Sequence, residues 1–536
     1  MNSRTQGLSR RAGQLPAWTI TAVLGVVYLI IAPYSPDLAA ASYRSDLFAR
    51  SGFTLWDNSW YGGHHLPAYS ILAPALGALI GPRVVAAISM TIAVALFPAI
   101  LRDRFPRRAI RWASLFLAIG ASVSLLSSRV PFDLGLAVGL GALLLALRGR
   151  LWLALLVSVL CSLSSPVAGA FLALAFLAWG LAGPSRRWPA LLTIGALLPI
   201  GLLTVLFPEG GSQPFVASAF YPALLGVVVV GALIPPEQRT LRIGAVLYGL
   251  ALTGSYLIPT AVGGNADRLG SLFAGPIAAC VLAGAAPRSR RGLALLVLAP
   301  FLFYWQINAP LADFSSASSN PAVHSAYYAP LLGELRALGV GYGARPTRIE
   351  AVPTSAHWEA RWLAPQVMLA RGWERQLDQY RNDLFYEEPT PLTPARYQTW
   401  LRENSISYIA LPDAALDYSA DAEARLLRQS LPSYLREVWR SPHWRLFAVI
   451  NPRPLVSAPA TLSSLSEDSL ALQAPRTGDY IVRVHFTPYW ALASGSGCVT
   501  QAPGDWTEIQ AHRPGTLHLV IRFSLGRVFS QGPRCE

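Results

Sequence analysis

The chain has 536 residues, 53% of them hydrophobic and only 13% charged, with a net charge of +14. Soluble domains carry about 25% charged residues, so a purely soluble protein is excluded. The charge is also not the footprint of nucleic-acid binding: residues 1–308 hold 22 Arg against 8 acids, the remainder holds 21 of each, and no Lys is present.

Long apolar runs predict eleven membrane spans, at 17–34, 84–101, 112–127, 131–147, 151–163, 167–183, 189–207, 216–234, 243–262, 270–287 and 292–307. The segments on one side of these spans carry 17 Arg and two acids, Asp103 and Glu237; the opposite side carries 5 Arg and 6 acids. Arg-rich loops stay in the cytoplasm. The N-terminus is therefore expected inside and the C-terminal region outside.

This orientation decides the first loop. "LPAYSILAPALGALIG", Leu66 to Gly81, is apolar, but its 16 residues reach only about 24 Å as a helix, short of a ~30 Å hydrocarbon core. Were it to cross, the five Arg of "RDRFPRRAIR" would face outward. It reads as a helix in the outer interface. Residues 36–83 then form a large first external loop containing "SDLFARSGFTLWDNSWYGGHH".

Beyond residue 308 the pattern is globular. Residues 309–451 alternate strand-like runs ("TRIEAV", "SISYIAL", "WRLFAVI") with helix-like ones ("LLGELRALG", "ARYQTWLREN", "DAEARLLRQSL"), which predicts an extracytoplasmic α/β domain. Residues 452–536 are strand-rich ("DYIVRVHF", "WTEIQAH", "GTLHLVIRF") and predict a β-sandwich. Cys498 and Cys535 flank that unit on the oxidising side of the membrane and are candidates for a disulfide. No metal-ligand spacing of Cys and His is present, and a need for a divalent metal cannot be read from the sequence.

The spans carry almost no ionisable groups, unlike those of ion-coupled transporters. Polar groups gather instead on the outer face, where Arg suits bidentate phosphate binding and a carboxylate can deprotonate an acceptor hydroxyl. Asp46 is the first candidate for that base and Asp57 the second. Arg268, in "GGNADRLG", and Arg129 are candidates for a phosphate; His64 and His65 for orienting substrate; Trp60 and Tyr61 for stacking on a sugar, although both also suit a membrane interface. In the outer domain "SAHWEARW" groups His357, Glu359 and Arg361.

The order of these features resembles a known family. An early Asp46, then Trp56, "WYGG" at Trp60 to Gly63, and Pro67 and Tyr69 in an interfacial helix are similar to bacterial GT-C-like multi-pass membrane glycosyltransferases, notably the YfhO-like and PTPS-related group. "GWERQ", "WLRENSISYIALP" and "TPYW" with "GTLHLVIRF" look like that group's outer region. The resemblance implies transfer of a sugar from a polyprenyl-phosphate donor to a cell-envelope glycan or lipid at the outer face of a bacterial plasma membrane. It implies Asp46 as the catalytic carboxylate and membrane lipid as a partner. A transporter or lipid flippase, and a non-catalytic envelope scaffold, are the alternatives.

Overall fold

The computed structural model of the chain describes residues 15–284, 289–343, 346–386, 392–530 and 532–536. Arg4, Arg10, Arg11 and Arg288, which enter the orientation count, lie outside the described residues, as does the end of the 270–287 span. The chain divides into two compact units that do not follow sequence order. The first contains 15–33, Leu79–Ile200 and Pro214–Phe314; the second contains Tyr34–Ala78, Gly201–Gln213 and Ser315–Glu536.

The first unit is helical. Its helices are Ala17–Ile31, Pro82–Leu101, Arg107–Ser124, Val130–Leu147, Leu151–Ser164, Pro166–Ala182, Arg187–Leu206, Ala217–Leu233, Arg239–Leu257, Asp267–Gly284 and Arg290–Ser318. Each predicted span falls on one of them. Lipid offers the backbone no hydrogen-bond partner, so such runs must satisfy their N–H and C=O groups internally. Pro82–Leu101, Val130–Leu147, Arg187–Leu206, Gly263–Ala283 and Arg290–Ser318 are long and apolar enough to cross a membrane singly. Eleven crossings would need the other six helices as well, among them Leu151–Ser164, whose 14 residues reach about 21 Å. Small residues let these helices approach: a Cβ on Gly135 would stand 2.7 Å from that of Ala168. Val26, Ile30, Leu79 and Val297 point outward from the unit, as lipid-facing side chains do.

Among the described residues the second unit holds four sheets, one of them the two-stranded hairpin of Trp56–Asp57 and His64–His65, and the helix Pro36–Ser51. The largest sheet has five strands in the order Met368–Leu369, Arg348–Ala351, Ile406–Pro412, Trp444–Val449 and Leu435–Arg440; the first three run parallel and the last two pair antiparallel. Ser325–Ala337, Pro394–Glu403 and Asp421–Gln429 supply the expected helices. A β-sandwich follows, with one sheet ordered Gly478–His485, Trp506–Ala511, Gly497–Ala502, Arg534–Cys535 and the other Trp490–Ser494, Gly515–Ile521, Ser469–Ala474, Thr461–Leu465. Leu470, Leu472, Val482, Ile509 and Leu519 are buried in its core. A disulfide joins Cys498 to Cys535 across the paired strands.

Two differences from the sequence reading concern the first loop. Residues 36–83 were expected to belong with the membrane module of residues 1–308, as a loop of interfacial pieces. Instead Tyr34–Ala78 belongs to the second unit, where Tyr43, Leu47, Trp60 and Tyr61 share a core with Tyr328, Ile349, Leu363 and Trp444. Hydrogen bonds sew the loop in place: Trp60 Nε1 donates to Ala360 O at 3.1 Å and Trp373 Nε1 to Pro36 O at 2.8 Å. The helix expected over Leu66–Gly81 is also shorter, covering Leu72–Ile80. The Ser70 hydroxyl accepts from Ala73 N at 3.2 Å, the start signal of an N-cap, and Gly81 at φ 87° breaks the path into Pro82–Leu101.

Candidate functional site

In the first unit the helices leave a cavity of about 320 Å³. Phe132, Leu136, Leu140, Leu143 and Leu147 line it. Their spacing puts them on one face of Val130–Leu147, so the cavity follows that helix for about 22 Å. The opposite walls come from Leu172, Val230 and Phe273. Arg104, near one end, is the one charged residue of the lining among the described residues. The volume and apolar walls suit a hydrocarbon chain.

Polar groups collect at the Phe132 end. The Arg268 guanidinium lies 5.4 Å from the centre of the Phe132 ring, and Leu269 and Gly270, its neighbours in sequence, line the cavity. Tyr248 fixes this corner: its hydroxyl donates to Ala266 O at 2.8 Å and accepts from Gly270 N at 2.8 Å. Asp267 accepts from Trp305 Nε1 at 2.8 Å. Arg129 and Ser127 both bond Asp313 Oδ2, at 3.0 and 2.6 Å. Two cations expected to meet phosphate, Arg129 and Arg268, thus belong to one unit, and Asp313 and Trp305 are partners that sequence reading did not single out. Asp313 was missed because it lies past the end of the predicted span, on a helix that continues to Ser318.

The remaining candidates lie in the second unit. Asp46 sits on the outer face of Pro36–Ser51, where Tyr43 and Leu47 turn inward. Arg361 Nε donates to its Oδ2 at 3.1 Å, and the Asp46 side chain is 45% exposed. Arg361 is itself steadied against the rings of Trp358 and Trp362. The result is a carboxylate oriented from one side and open to solvent. Its partner comes from "SAHWEARW", the segment already noted for its clustered charges.

Asp57, His64, His65, Trp60 and Tyr61 are buried. In this structure their hydrogen-bond and ring partners are protein groups. Asp57 accepts from Tyr43 Oη at 2.8 Å and from Ser59 N at 2.9 Å; burial pushes its carboxyl up to about 6. His64 stacks on Trp60 and faces Asp57 O through Nδ1 at 3.2 Å; burial pulls its imidazole down to about 3. His65 pairs with Glu209 at 2.8 Å and with Thr487 at 3.1 Å. Burial alone would raise the Glu209 carboxyl, but His65 and Arg381 hold it below its usual range. Tyr61 exchanges hydrogen bonds with the Glu374 backbone.

The glycines of "WYGGHH" have a steric cause. Trp56–Asp57 and His64–His65 form a two-stranded hairpin. Between them Tyr61, Gly62 and Gly63 take φ of 58°, 72° and 111°. A Cβ on Gly63 would collide with the Trp56 indole, and one on Gly62 would meet Arg348 Nη2 at 3.1 Å. The pair serves a tight turn against neighbouring side chains. No group of three His, Cys, Asp or Glu among the described residues is arranged to hold a metal ion.

No family model matches the chain, and no curated protein matches it. Among solved structures it is similar to the arabinofuranosyltransferase AftD from Mycobacteria, at 13% identity over 96% of this chain and 58% of that one, with a TM-score of 0.45. This chain thus spans less than two thirds of that enzyme. It is also similar to the Archaeoglobus fulgidus oligosaccharyltransferase, at 11% identity over 97% of this chain and 95% of that one, with a TM-score of 0.49. A third similar structure is the oligosaccharyltransferase AglB from the same organism, in complex with an inhibitory peptide and a dolichol-phosphate, at 12% identity over 76% of this chain and 70% of that one, with a TM-score of 0.38. All three are named as sugar-transferring enzymes. At these identities and scores the activity has to be argued from this chain's own residues.

Proposed function

We propose that this protein transfers a sugar from a polyprenyl-phosphate donor to a glycan or lipid acceptor of the cell envelope, at the outer face of a bacterial plasma membrane. The observation that carries this reading is the apolar cavity of the first unit with Arg268 at one end. A prenyl chain would fill the cavity and bring its phosphate to the Arg268 corner. Asp46 is the proposed base. It takes the proton of the acceptor hydroxyl, the hydroxyl oxygen forms the new bond to the anomeric carbon, and the bond from that carbon to the phosphate oxygen breaks. The phosphate leaves with the electron pair, and Arg268 binds the charge that develops. Attack opposite to the leaving group inverts the anomeric centre. The N-terminus is proposed to be cytoplasmic and everything after about Asn308 external.

A solute transporter fits the first unit less well, because the cavity walls offer a polar solute little beyond Arg104, Thr240 and Tyr248. An ion crossing them would lose its hydration without replacement.

The test is transfer from a labelled polyprenyl-phosphate sugar by the purified protein in nanodiscs. Gly244 lines the cavity, and a Cβ there has ordinary room, 3.7 Å from Ala178 Cβ. Gly244→Phe is expected to fill the space and raise the donor KM about tenfold or more, with the acceptor KM unchanged. An unaltered donor KM would remove the cavity from the reaction. Arg268→Lys keeps the charge but loses the bidentate fork. It is expected to weaken donor binding by about 1.5–3 kcal/mol, read as a higher donor KM at nearly constant kcat.

A further inference from the structure

The turn Phe523–Phe529 follows the last long strand of the sandwich and leaves its apolar side chains outside it. Phe523 is 44%, Leu525 71% and Phe529 88% exposed; among the described residues no other large apolar side chain is as exposed as Phe529. The turn is nevertheless held in place. Arg527 Nε donates to Pro488 O at 3.3 Å and its Nη2 to Gly532 O at 2.7 Å. Phe523 packs on Tyr489 and Phe207, with ring centres 5.2 and 6.0 Å away. A fixed turn that presents a Leu and two Phe to water is unfavourable unless something covers them.

Its neighbours indicate what does. Tyr489 Oη donates to Leu206 O at 2.6 Å. Leu206 is the last residue of Arg187–Leu206, a helix long and apolar enough to cross a membrane. The same connecting segment is flanked by Tyr380, which is 64% exposed and lies against Gly210, where a Cβ would approach its ring to 3.1 Å. Exposed aromatic side chains therefore gather where the chain leaves a membrane-length helix, the level at which aromatic belts form. Residues 522–535 also hold three Arg and no acid. Glu536 takes part of that charge, at 3.7 Å from Arg522 and 3.2 Å from Arg534, while the Arg522 side chain stays 54% exposed.

We propose that this turn is a lipid-surface contact of the second unit. Phe523, Leu525 and Phe529 enter the headgroup–acyl boundary of the leaflet in which Arg187–Leu206 ends, and the exposed Arg522 meets anionic headgroups. The contact is independent of sugar transfer, and its readout does not use activity.

The test uses the full-length protein with Phe529→Cys, labelled with an environment-sensitive fluorophore and placed in nanodiscs. The native thiols do not compete, because Cys161 and Cys280 are buried and Cys498 is bonded to Cys535. Lipids brominated on the acyl chains are expected to quench the label at least twofold relative to plain lipids. Quenching should deepen when anionic lipids replace zwitterionic ones. Equal fluorescence with and without bromine overturns the proposal. So does an unquenched label together with disulfide-linked dimers of the unlabelled Phe529→Cys protein, which would make the patch a self-association surface. Leu525→Cys gives the same readout if the first variant does not fold.

Discussion

Asp46→Asn is expected to lower the turnover of sugar transfer by about 10²- to 10⁴-fold, the usual contribution of general acid–base catalysis. Asparagine keeps the size of the side chain and an oxygen for Arg361 Nε, so the ion pair becomes a neutral hydrogen bond and the helix Pro36–Ser51 is undisturbed. A half-exposed position of this kind changes folding stability by less than about 1 kcal/mol. The loss should therefore fall on kcat, with the donor KM close to that of the unaltered protein. Steady-state kinetics of the purified variant check this, and wild-type turnover would remove the assignment. Asp57, the other candidate for the base, makes a contrast. It is buried against Tyr43 and Ser59, so its replacement should act on stability before it acts on turnover.

Acid is expected to destabilise the second unit progressively as pH falls below about 6.5. His64 is held neutral by burial, near 3 instead of 6.5. Its contribution is fully present above about pH 6.5 and is lost as pH falls toward 3, because the unfolded chain binds the proton first. A shift of this size corresponds to something on the order of 5 kcal/mol. His485, pulled down to about 4 by burial and by Arg381, acts with the same sign. Asp57 acts with the opposite sign: pushed up to about 6, it contributes fully below about pH 3.8, and that stability is lost as pH rises through 6. The two histidines outweigh it on the acid side. Tryptophan fluorescence against pH, with Trp60 stacked on His64 as the reporter, should show a cooperative acid transition. His64→Gln removes the titrating ring and should move the midpoint to lower pH. An unchanged midpoint would show that His64 does not set it.

Much of the architecture was legible because its causes are local. Hydropathy located eleven helices of the first unit among the described residues, five of them long and apolar enough to cross a membrane singly, and alternation located Ile406–Pro412, Trp444–Val449 and Gly515–Ile521. Two-residue strands such as Met368–Leu369 leave no periodic signal, and Leu435–Arg440 is too polar to show one. The larger error concerned the first loop. Trp60, Tyr61 and His64 have the composition of a sugar-binding or interfacial stretch, and the same composition serves a core. Which of these it serves depends on partners such as Ala360 and Glu374, some 300 residues away. The Asp46–Arg361 pair was hidden for the same reason, since the separation of 315 positions leaves no trace in local spacing. The cavity was not legible at all, because it arises from how six helices pack.

That long-range construction has a consequence during synthesis. Residues 34–78 emerge first, with Trp56, Trp60 and Tyr61, yet their burial waits for strands and helices made much later. Arg44 and its partner Glu374 are 330 positions apart. At roughly 5–20 residues per second, the ribosome needs on the order of 15–65 s to cover that distance. For that interval an aromatic, turn-rich segment stands unfolded beside a growing helical bundle. The nascent protein is thus most vulnerable to proteolysis and aggregation through its earliest exposed piece, and a chain halted before its last third would leave that piece permanently without its core.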